Sequence, residues 1–527
     1  MSIQDRYKSY IQLQIKKQYD NMQKTTCRRK LNTGHLTQQL QTMSNERYLE
    51  LHSLIIEADI KSLHKHIFEH AFSIKELVIF YLKRILQFNA AINSVLELNP
   101  DVIEIAETMD LKLAKGDFKG KLFGIPVLLK DNIGTGDKLH NTAGAKALEY
   151  SQCDDDAYIV KRLRESGAII LGKTNLTEWA NCMSSNPANG YSALGGQTKN
   201  AYGKYDVGGS SAGSAVATSL CLAAFSIGTE TEGSILYPAN QNAIVGFKLS
   251  TGLWSKNRII PISSRMDTAG PMTRTVYDAA IVIGELVGVD VNDSDTLLVK
   301  HSSKDFTQYL VKDGLKGIKI GLVINENLYN LRYGDKEILN RVVSELTMLG
   351  AIVKLVTLPS DIKVPEYFNF LMHDFKHGVN KYLKENTREN SDLTLSKIID
   401  YNNIDLANRA VYGQDVLESA NKAEFSNSNM ETLAKQVQNN SRAILDKCLA
   451  ENNVDMLLSL SVALSSYYAT AGYPAITVPA GFRDNGEPVG ITLVAKLFNE
   501  DLLLKAAYSY EQGTKHRTKP CVNKLQV

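Results

Sequence analysis

Two clusters of glycine and serine residues constrain the fold of this chain more than any other feature of its sequence. They span residues 208–214 and 228–234, and an alanine-rich stretch of helical character separates them. A helix of about ten residues from Ser214 covers ~15 Å, and a strand of about five residues ending near Ile227 returns a similar distance. The spacing therefore predicts that the two clusters meet, with Ser210 and Ser234 side by side.

The second cluster ends in a serine that follows several turn-forming residues. Such a turn exposes consecutive backbone N–H groups, which can stabilise an oxyanion. A serine nucleophile also needs a base, and Lys130 stands at the end of the apolar run 122–129. Burial there would lower its pKa from about 10.4 to near 7, and Asp131 would point to the opposite face of the strand. A lysine that is paired with an acidic group, or that extends its charged end to solvent, is the alternative, and the spacing alone leaves both open.

Apolar runs elsewhere in the chain indicate an α/β fold. Residues 318–324 and 352–356 predict two strands that flank a helix at 336–349, which forms a strand–helix–strand unit. Further strand candidates are residues 122–129, 168–171, 244–247 and 474–493. The segment Ser73–Glu76 fits a capping box at the start of a helix that we expect to run through Leu86.

The organisation of the chain is predicted from local changes in composition. Residues 1–48 form a polar, basic N-terminal arm, because the first 45 residues carry eight lysines and arginines against Asp5 and Asp20. No apolar core follows these charges, which argues against a secretory signal, and the many glutamines and tyrosines argue against the alternative of a mitochondrial presequence. We expect residues 49–527 to form a single domain, and the polar, asparagine-rich stretch at about 365–455 to form a variable helical layer on it.

The overall composition limits the partners that we expect. The formal net charge of +2 gives no reason to predict nucleic acid or an anionic membrane as a partner. No stretch approaches the roughly 18 apolar residues that a membrane helix needs. Six cysteines without a C-x-x-C pair are interpreted as free thiols, so we expect a cytoplasmic protein of unknown oligomeric state.

Two pairs of histidines offer a different chemistry, that of a metal site. His66 and His70 flank Glu69 in an H-x-x-E-H pattern that some zinc proteases use. His373 and His377 have the same spacing of four residues. Neither pair has an identifiable third ligand, so we interpret both as parts of ordinary helix surfaces and predict no metal.

Two serine motifs are alternatives to the Ser234 site. Ser211 is at the centre of a G-x-S-x-G pattern, which in α/β-hydrolases forms a nucleophile elbow. An elbow needs an apolar strand before it, whereas residues 201–206 are polar and interrupted by glycine. Ser62 and Lys65 match S-x-x-K of penicillin-recognising enzymes, but the companion K-T-G motif is absent from the sequence.

Seven segments, taken together and in order, resemble the signature segments of the amidase signature family. They are Gly124–Asp131, Leu171–Asn175, Gly195–Gln197, Gly208–Ser214, Gly228–Ile235, Asp267–Arg274 and Ala471–Pro479. The resemblance covers roughly residues 50–520, and this combination of segments is highly specific. It implies an α/β fold with a large, mixed, twisted central β-sheet surrounded by helices.

The resemblance also implies a catalytic site. Ser234 would be the nucleophile, Ser210 a bridging serine that follows a cis peptide bond, and Lys130 a neutral base, without a cofactor or metal. The backbone N–H groups of Thr231, Glu232, Gly233 and Ser234 would form the oxyanion hole. The family spacing between the two serines selects Ser210 over Ser211.

Departures from the family pattern concern the substrate more than the triad. Glu232 stands where many members have glycine, and Leu236 where many, including amidotransferase A subunits, have arginine. The chain therefore looks closest to peptide amidase-like enzymes, and we expect Leu236 and Tyr237 to line the pocket of an enzyme for uncharged linear amides, including C-terminal peptide amides. The alternatives are an amidotransferase A subunit that supplies ammonia to a partner, and a catalytically silent scaffold.

Overall fold

The structure is a computed structural model that describes residues 31–299, 305–325, 334–359, 367–424 and 427–522, together with Lys16. Most of the basic arm predicted for residues 1–48 lies outside these ranges. The division of the chain into this arm and one domain at 49–527 stays a prediction.

A large β-sheet forms the centre of the described structure. Its strands and a separate two-stranded ribbon, β4–β5, have these bounds: β1 Val95–Leu98, β2 Pro126–Lys130, β3 Ile169–Thr174, β4 Tyr191–Ser192, β5 Gly196–Gln197, β6 Phe225–Glu230, β7 Val245–Lys248, β8 Thr268–Thr273, β9 Lys319–Val323, β10 Ile352–Val356, β11 Met456–Leu460, β12 Ala475–Phe482 and β13 Pro488–Val494. Eleven strands pair in the order β1-β3-β2-β6-β8-β7-β12-β13-β11-β9-β10. The sheet is mixed, because β3, β2 and β6 run parallel, as do β11, β9 and β10, while the other neighbouring pairs are antiparallel.

Helices surround this sheet. Their bounds are α1 Thr37–Leu40, α2 Asn45–Ile55, α3 Ile60–Phe68, α4 Ile74–Ile92, α5 Val102–Ala114, α6 Tyr158–Glu165, α7 Ala212–Ser219, α8 Leu236–Gln241, α9 Val276–Leu286, α10 Asp335–Met348, α11 Tyr367–Asn386, α12 Leu395–Asn403, α13 Leu406–Arg409, α14 Asp415–Lys422, α15 Asn427–Glu451, α16 Ser465–Ala471 and α17 Glu500–Thr514. Short 3₁₀ turns lie at Gly34–Leu36, Lys146–Leu148, Glu178–Asn181, Ser294–Leu298 and Phe306–Tyr309. A large mixed sheet with helices around it is the predicted fold class, which is confirmed.

The apolar run before Lys130 becomes a strand that is buried along its whole length. All five residues of β2 are buried, because parallel partners flank the strand on both edges and helices cover its faces. The strand begins at Pro126 and not at Leu122, since Gly124 has a φ of 73°. A Cβ atom at Gly124 would lie 2.8 Å from a side-chain carbon of Ile74, so the bend also lets the chain pass close to α4.

The helix between the two glycine–serine clusters packs tightly on the sheet. All eight residues of α7 are buried. Their side chains are small enough to let the helix backbone approach neighbouring segments closely. A Cβ atom at Gly213 would meet the carbonyl oxygens of Asn175 and Ser94 at 2.4 Å. From this helix β6 returns beside β2, with Ile227 opposite Leu129. The predicted path from one cluster to the other is therefore confirmed, with a shorter helix than expected.

Two other features bear on the predicted organisation. Between residues 367 and 451 the described chain is helical, from α11 to α15. No helix within the described ranges is long and apolar enough to cross a membrane.

Candidate active site

Three elements bring the predicted residues together at one end of the sheet. Lys130 is the last residue of β2, and β6 ends at Glu230, just before the turn that carries Ser234. Ser210 lies just ahead of α7, and the peptide bond between Gly209 and Ser210 is cis. Because β2 and β6 are parallel neighbours, their carboxyl ends deliver both segments to the same place.

Lys130 is fully buried and makes three hydrogen-bond contacts with uncharged groups. Its Nζ lies 2.8 Å from Oγ of Ser210, 2.9 Å from Oγ1 of Thr229 and 3.2 Å from the Thr229 carbonyl oxygen. No carboxylate of the described chain is within ion-pair distance of it. Burial lowers the pKa of Lys130 to about 7, although the negative charges of Asp267 and Glu230 oppose this shift.

The neighbouring aspartate does not neutralise this lysine. The Asp131 carboxylate accepts hydrogen bonds from the Thr142 hydroxyl and, at 3.3 Å, from the Thr142 N–H. Its charge raises the pKa of Lys173, which burial otherwise lowers. This arrangement agrees with the expectation that Asp131 faces away from Lys130.

The turn around Ser234 is organised by one buried carboxylate. Glu230 accepts hydrogen bonds from the N–H groups of Gly233 (2.8 Å), Ile235 (2.8 Å) and Leu236 (3.0 Å). These contacts fix the backbone on both sides of Ser234, a residue that is 7% exposed. The Ser234 hydroxyl has no hydrogen-bond partner among the described residues, so it is able to turn toward a substrate or toward Ser210.

The predicted oxyanion donors are not equivalent in this turn. The Gly233 N–H is engaged by Glu230, which counts against it as a donor to an oxyanion. The backbone N–H groups of Thr231 and Ser234 have no partner within the described chain. The Glu232 side chain is bound by the helical layer. Its carboxylate accepts a hydrogen bond of 3.2 Å from the hydroxyl of Tyr367 on α11.

Ser211 occupies a structural position. Its Oγ donates to the Thr229 carbonyl at 3.0 Å and accepts from the Thr229 N–H at 3.2 Å. Its own N–H donates to the Ser234 carbonyl oxygen at 3.1 Å. Ser211 is fully buried and does not line the cavity described next, so the structure gives no support to the nucleophile elbow.

A cavity of about 420 Å³ opens onto this group of residues. Ser210, Thr229, Thr231 and Ser234 line its inner end, together with Asn132. An apolar wall comes from residues 259–262, and α11 contributes Gly378, Lys381, Tyr382, Glu385 and Asn386. The cavity therefore combines a polar reactive end with a mixed entrance that the helical layer helps to build.

Comparison with known proteins identifies the family. The family model described as Amidase matches residues 76–465, which is more than half of the chain. The chain belongs to the amidase signature family. A probable amidase of Arabidopsis thaliana is 37% identical over 482 residues, which cover 88% of this chain and 92% of the relative.

Two further relatives are a peptide amidase and an amidotransferase subunit. The crystal structure of native peptide amidase from Stenotrophomonas maltophilia is 35% identical, with a TM-score of 0.82 over 88% of this chain and 98% of that one. The A subunit of glutamyl-tRNA(Gln) amidotransferase from Gloeothece citriformis is 31% identical over 88% of this chain and 99% of its own length. The present chain is thus an amide-hydrolysing enzyme, similar to members with different substrates.

The structure describes both histidine pairs that the sequence offered as metal ligands. Helix α3 ends at Phe68, and His70 has a φ of 57°, so His66 and His70 do not share one helix face. The rings of His373 and His377 on α11 contact each other at a tilt of 41°, with centroids 4.2 Å apart. The described residues contain no group of three or more histidine, cysteine, aspartate or glutamate residues suited to hold a metal ion.

The pocket wall differs from the sequence-based expectation. Leu236 is fully buried in the apolar core, and neither it nor Tyr237 lines the cavity. Leu236 points into the core because its N–H is fixed by Glu230 at the start of α8. Residues 259–262 supply the apolar wall instead, and they carry no motif that would have predicted this role.

Sequence reasoning also missed two polar residues of the site. Thr229 contacts Lys130 through two oxygen atoms and accepts a hydrogen bond from Asn132 Nδ2 at 3.0 Å. Asp267 accepts a hydrogen bond of 2.5 Å from the Thr231 hydroxyl, and burial raises the pKa of Asp267 to about 6. Both residues belong to the family-like segments, so their position in these motifs was the one available signal.

Proposed function

We propose that this amidase cleaves linear carboxylic amides with a catalytic triad of Ser234, Ser210 and Lys130. One observation carries the proposal: the buried Lys130 Nζ lies 2.8 Å from the Ser210 hydroxyl, beside a cavity that Ser210 and Ser234 both line. A lysine whose pKa is lowered by burial to about 7 is suited to accept a proton. The silent-scaffold alternative is disfavoured because all three groups are present with this contact.

The contacts of Lys130 fit a neutral amine. Such an amine has two N–H donors and one lone pair, and the two oxygens of Thr229 can accept both donors. The lone pair then faces the Ser210 hydroxyl. In the proposed scheme, Lys130 takes the proton of Ser210 while Ser210 takes the proton of Ser234.

The remaining steps complete an acyl-enzyme mechanism. The Ser234 oxygen attacks the amide carbon, and the resulting oxyanion is stabilised by backbone N–H groups. The proton returns through Ser210 to the leaving nitrogen as the C–N bond breaks, which releases ammonia or an amine. A water molecule then attacks the ester of Ser234 by the same route and releases the acid.

We propose a narrower oxyanion hole than the sequence indicates. The N–H groups of Thr231 and Ser234 are the best candidates, because neither has a partner in the described chain. The N–H of Glu232 lies between them in sequence, while that of Gly233 donates to Glu230. In this scheme Glu230 and Gly233 shape the turn, and the other N–H groups bind the oxyanion.

C-terminal peptide amides are the substrate class that we propose. The likeness to peptide amidase, at 35% identity over nearly all of that chain, supports it. The apolar wall at 259–262 and the cavity volume of about 420 Å³ also suit a peptide that ends in an amide. An amidotransferase A subunit remains the second candidate because of the 31% identical relative of that name.

We also propose that the enzyme acts in the cytoplasm. Five described cysteines, Cys153, Cys182, Cys221, Cys448 and Cys521, are free thiols. Free thiols are typical of a reducing compartment.

A labelling experiment tests the proposed nucleophile. A fluorophosphonate probe should modify Ser234 in the intact enzyme, and mass spectrometry of the digest identifies the labelled peptide. We expect Ser234→Ala to abolish both labelling and amide hydrolysis. Ser211→Ala is the matched control, which should retain labelling at Ser234, and a label on Ser211 would contradict the triad.

A further inference from the structure

A second cavity adjoins the active-site cavity. Its volume is about 530 Å³. The two cavities share wall residues Lys256, Asn257, Ser264, Asn292 and Lys381. The two cavities therefore adjoin each other, and the second lies next to the cavity that Ser234 lines.

The side chains that line the second cavity carry more positive than negative charge. Its wall contains four basic and two acidic side chains. Lys256 pairs with both acids, Asp293 at 3.2 Å and Asp295 at 2.5 Å. Arg265 contacts Glu431 at 3.6 Å. Lys381 is only 4.0 Å from Glu385 at best, and both of these side chains are largely exposed, so this pair contributes little.

Arg442 is the basic residue of this wall that no described carboxylate pairs with. It lies on α15, is half-buried, and its Nε donates to the carbonyl oxygen of Ala471 at 2.8 Å. This hydrogen bond fixes the plane of the guanidinium group and leaves its terminal N–H groups for another acceptor. A fixed planar guanidinium is well suited to bind a carboxylate with two hydrogen bonds.

We propose that the second cavity is a subsite for the acyl part of the substrate and that it binds an acidic side chain against Arg442. This inference rests on the proposed hydrolysis of peptide amides. Ammonia, as leaving group, occupies little space, so the rest of a bound peptide belongs to its acyl part. Each extended residue covers about 3.3–3.6 Å, so a residue upstream of the C-terminal one is placed to reach an adjoining cavity.

Matched peptide amides test the subsite. N-acetylated tetrapeptide amides would carry glutamate or glutamine at each of the three positions before the C-terminal residue, with alanine elsewhere. We expect kcat/KM for ammonia release to favour glutamate about fivefold at one of these positions, the effect of a partly exposed ion pair. The preference should lie mainly in KM and should weaken in roughly 0.5 M salt.

Variants of Arg442 assign the preference to this residue. R442Q should reduce the glutamate-to-glutamine ratio to about one, whereas R442K should retain part of it. A general loss of stability would lower kcat/KM for the glutamate and glutamine peptides alike, so it would leave their ratio unchanged. K435Q removes an exposed positive charge from the same helix outside the cavity, and it should keep the ratio of the unmodified enzyme.

Three outcomes would overturn the inference. They are equal rates for glutamate and glutamine at all three positions, a preference for glutamine, and a preference for glutamate that R442Q leaves intact. Release of ammonia from simple amides but from none of the peptides would instead contradict the proposed substrate class, and the subsite with it. The peptide series therefore separates a failure of the subsite from a failure of the proposed function.

Discussion

Lys130 sets the pH dependence that we expect of the reaction. Burial lowers its pKa to about 7, and the proposed base has to be neutral to accept a proton. Below that pH the lysine is protonated and inactive as a base, so kcat/KM should rise as the pH increases through about 7 and then level off. The profile of kcat/KM against pH for a small amide measures this inflection.

Two variants assign the inflection to Lys130. Lys130→Ala should lower kcat/KM about 100- to 10,000-fold, the usual contribution of a positioned acid or base. Asp267 lines the same cavity, and burial raises its pKa to about 6. Asp267→Asn should keep the inflection but move it to a lower pH, because the negative charge of Asp267 raises the pKa of Lys130. If the inflection disappeared in this variant, it would have to be assigned to Asp267 and not to Lys130.

At the residue scale, the sequence predicts where a charged residue lies better than it predicts which groups that residue contacts. The placement of Lys130 at the end of a buried strand was predictable, because the apolar run before it leaves the lysine few solvated positions. The engagement of Gly233 by Glu230 was not predictable, since it depends on how a long carboxylate folds back within a tight turn. The choice between Ser210 and Ser211 needed the family resemblance, because the two residues are adjacent in one loop.

At the scale of elements, the capping box of α4 provides a stability prediction. The Ser73 hydroxyl accepts a hydrogen bond from the Glu76 N–H at 3.0 Å, and the Glu76 carboxylate accepts one from the Ser73 N–H at 2.9 Å. Ser73→Ala should cost about 1 kcal/mol of stability, measured as a lower urea midpoint. Ser53→Ala, at an exposed position within α2, is the control and should change the midpoint little. An unchanged midpoint in Ser73→Ala would show that the cap contributes nothing.

The sequence predicted where elements begin better than where they end. The start of α4 was readable from its cap, but the helix continues to Ile92 and stops at Asn93, which adopts a left-handed conformation. Nothing in the apolar pattern marked Leu86 or Ile92 as the end, because most residues between Ile74 and Ile92 are buried. The unit β9–α10–β10 was predicted closely, since its two strands and its helix differ clearly in period.

At the scale of the whole molecule, the active-site cavity joins segments that are far apart in sequence. The reactive end comes from strands β2 and β6, whereas the entrance comes from the loop at 256–264 and from helix α11. Such a wall depends on tertiary packing, and no local pattern encodes it. This explains why Leu236 and Tyr237, which adjoin the nucleophile in sequence, were wrongly expected to line the pocket.

The composition of this cavity leads to a prediction about substrates. Its apolar wall, at residues 259–262, can pack against the last side chain of a peptide, whereas free glutamine has no such side chain and carries two charges to desolvate. We therefore expect the purified chain alone to release ammonia from an amidated tripeptide with a kcat/KM at least about tenfold above that for glutamine, which corresponds to ~1.4 kcal/mol of binding. Isobutyramide is small and uncharged, and we expect its kcat/KM to lie between the values for the tripeptide and for glutamine. It therefore separates the effect of charge from the effect of size. Preference for glutamine, or activity only with a partner protein, would favour the amidotransferase alternative.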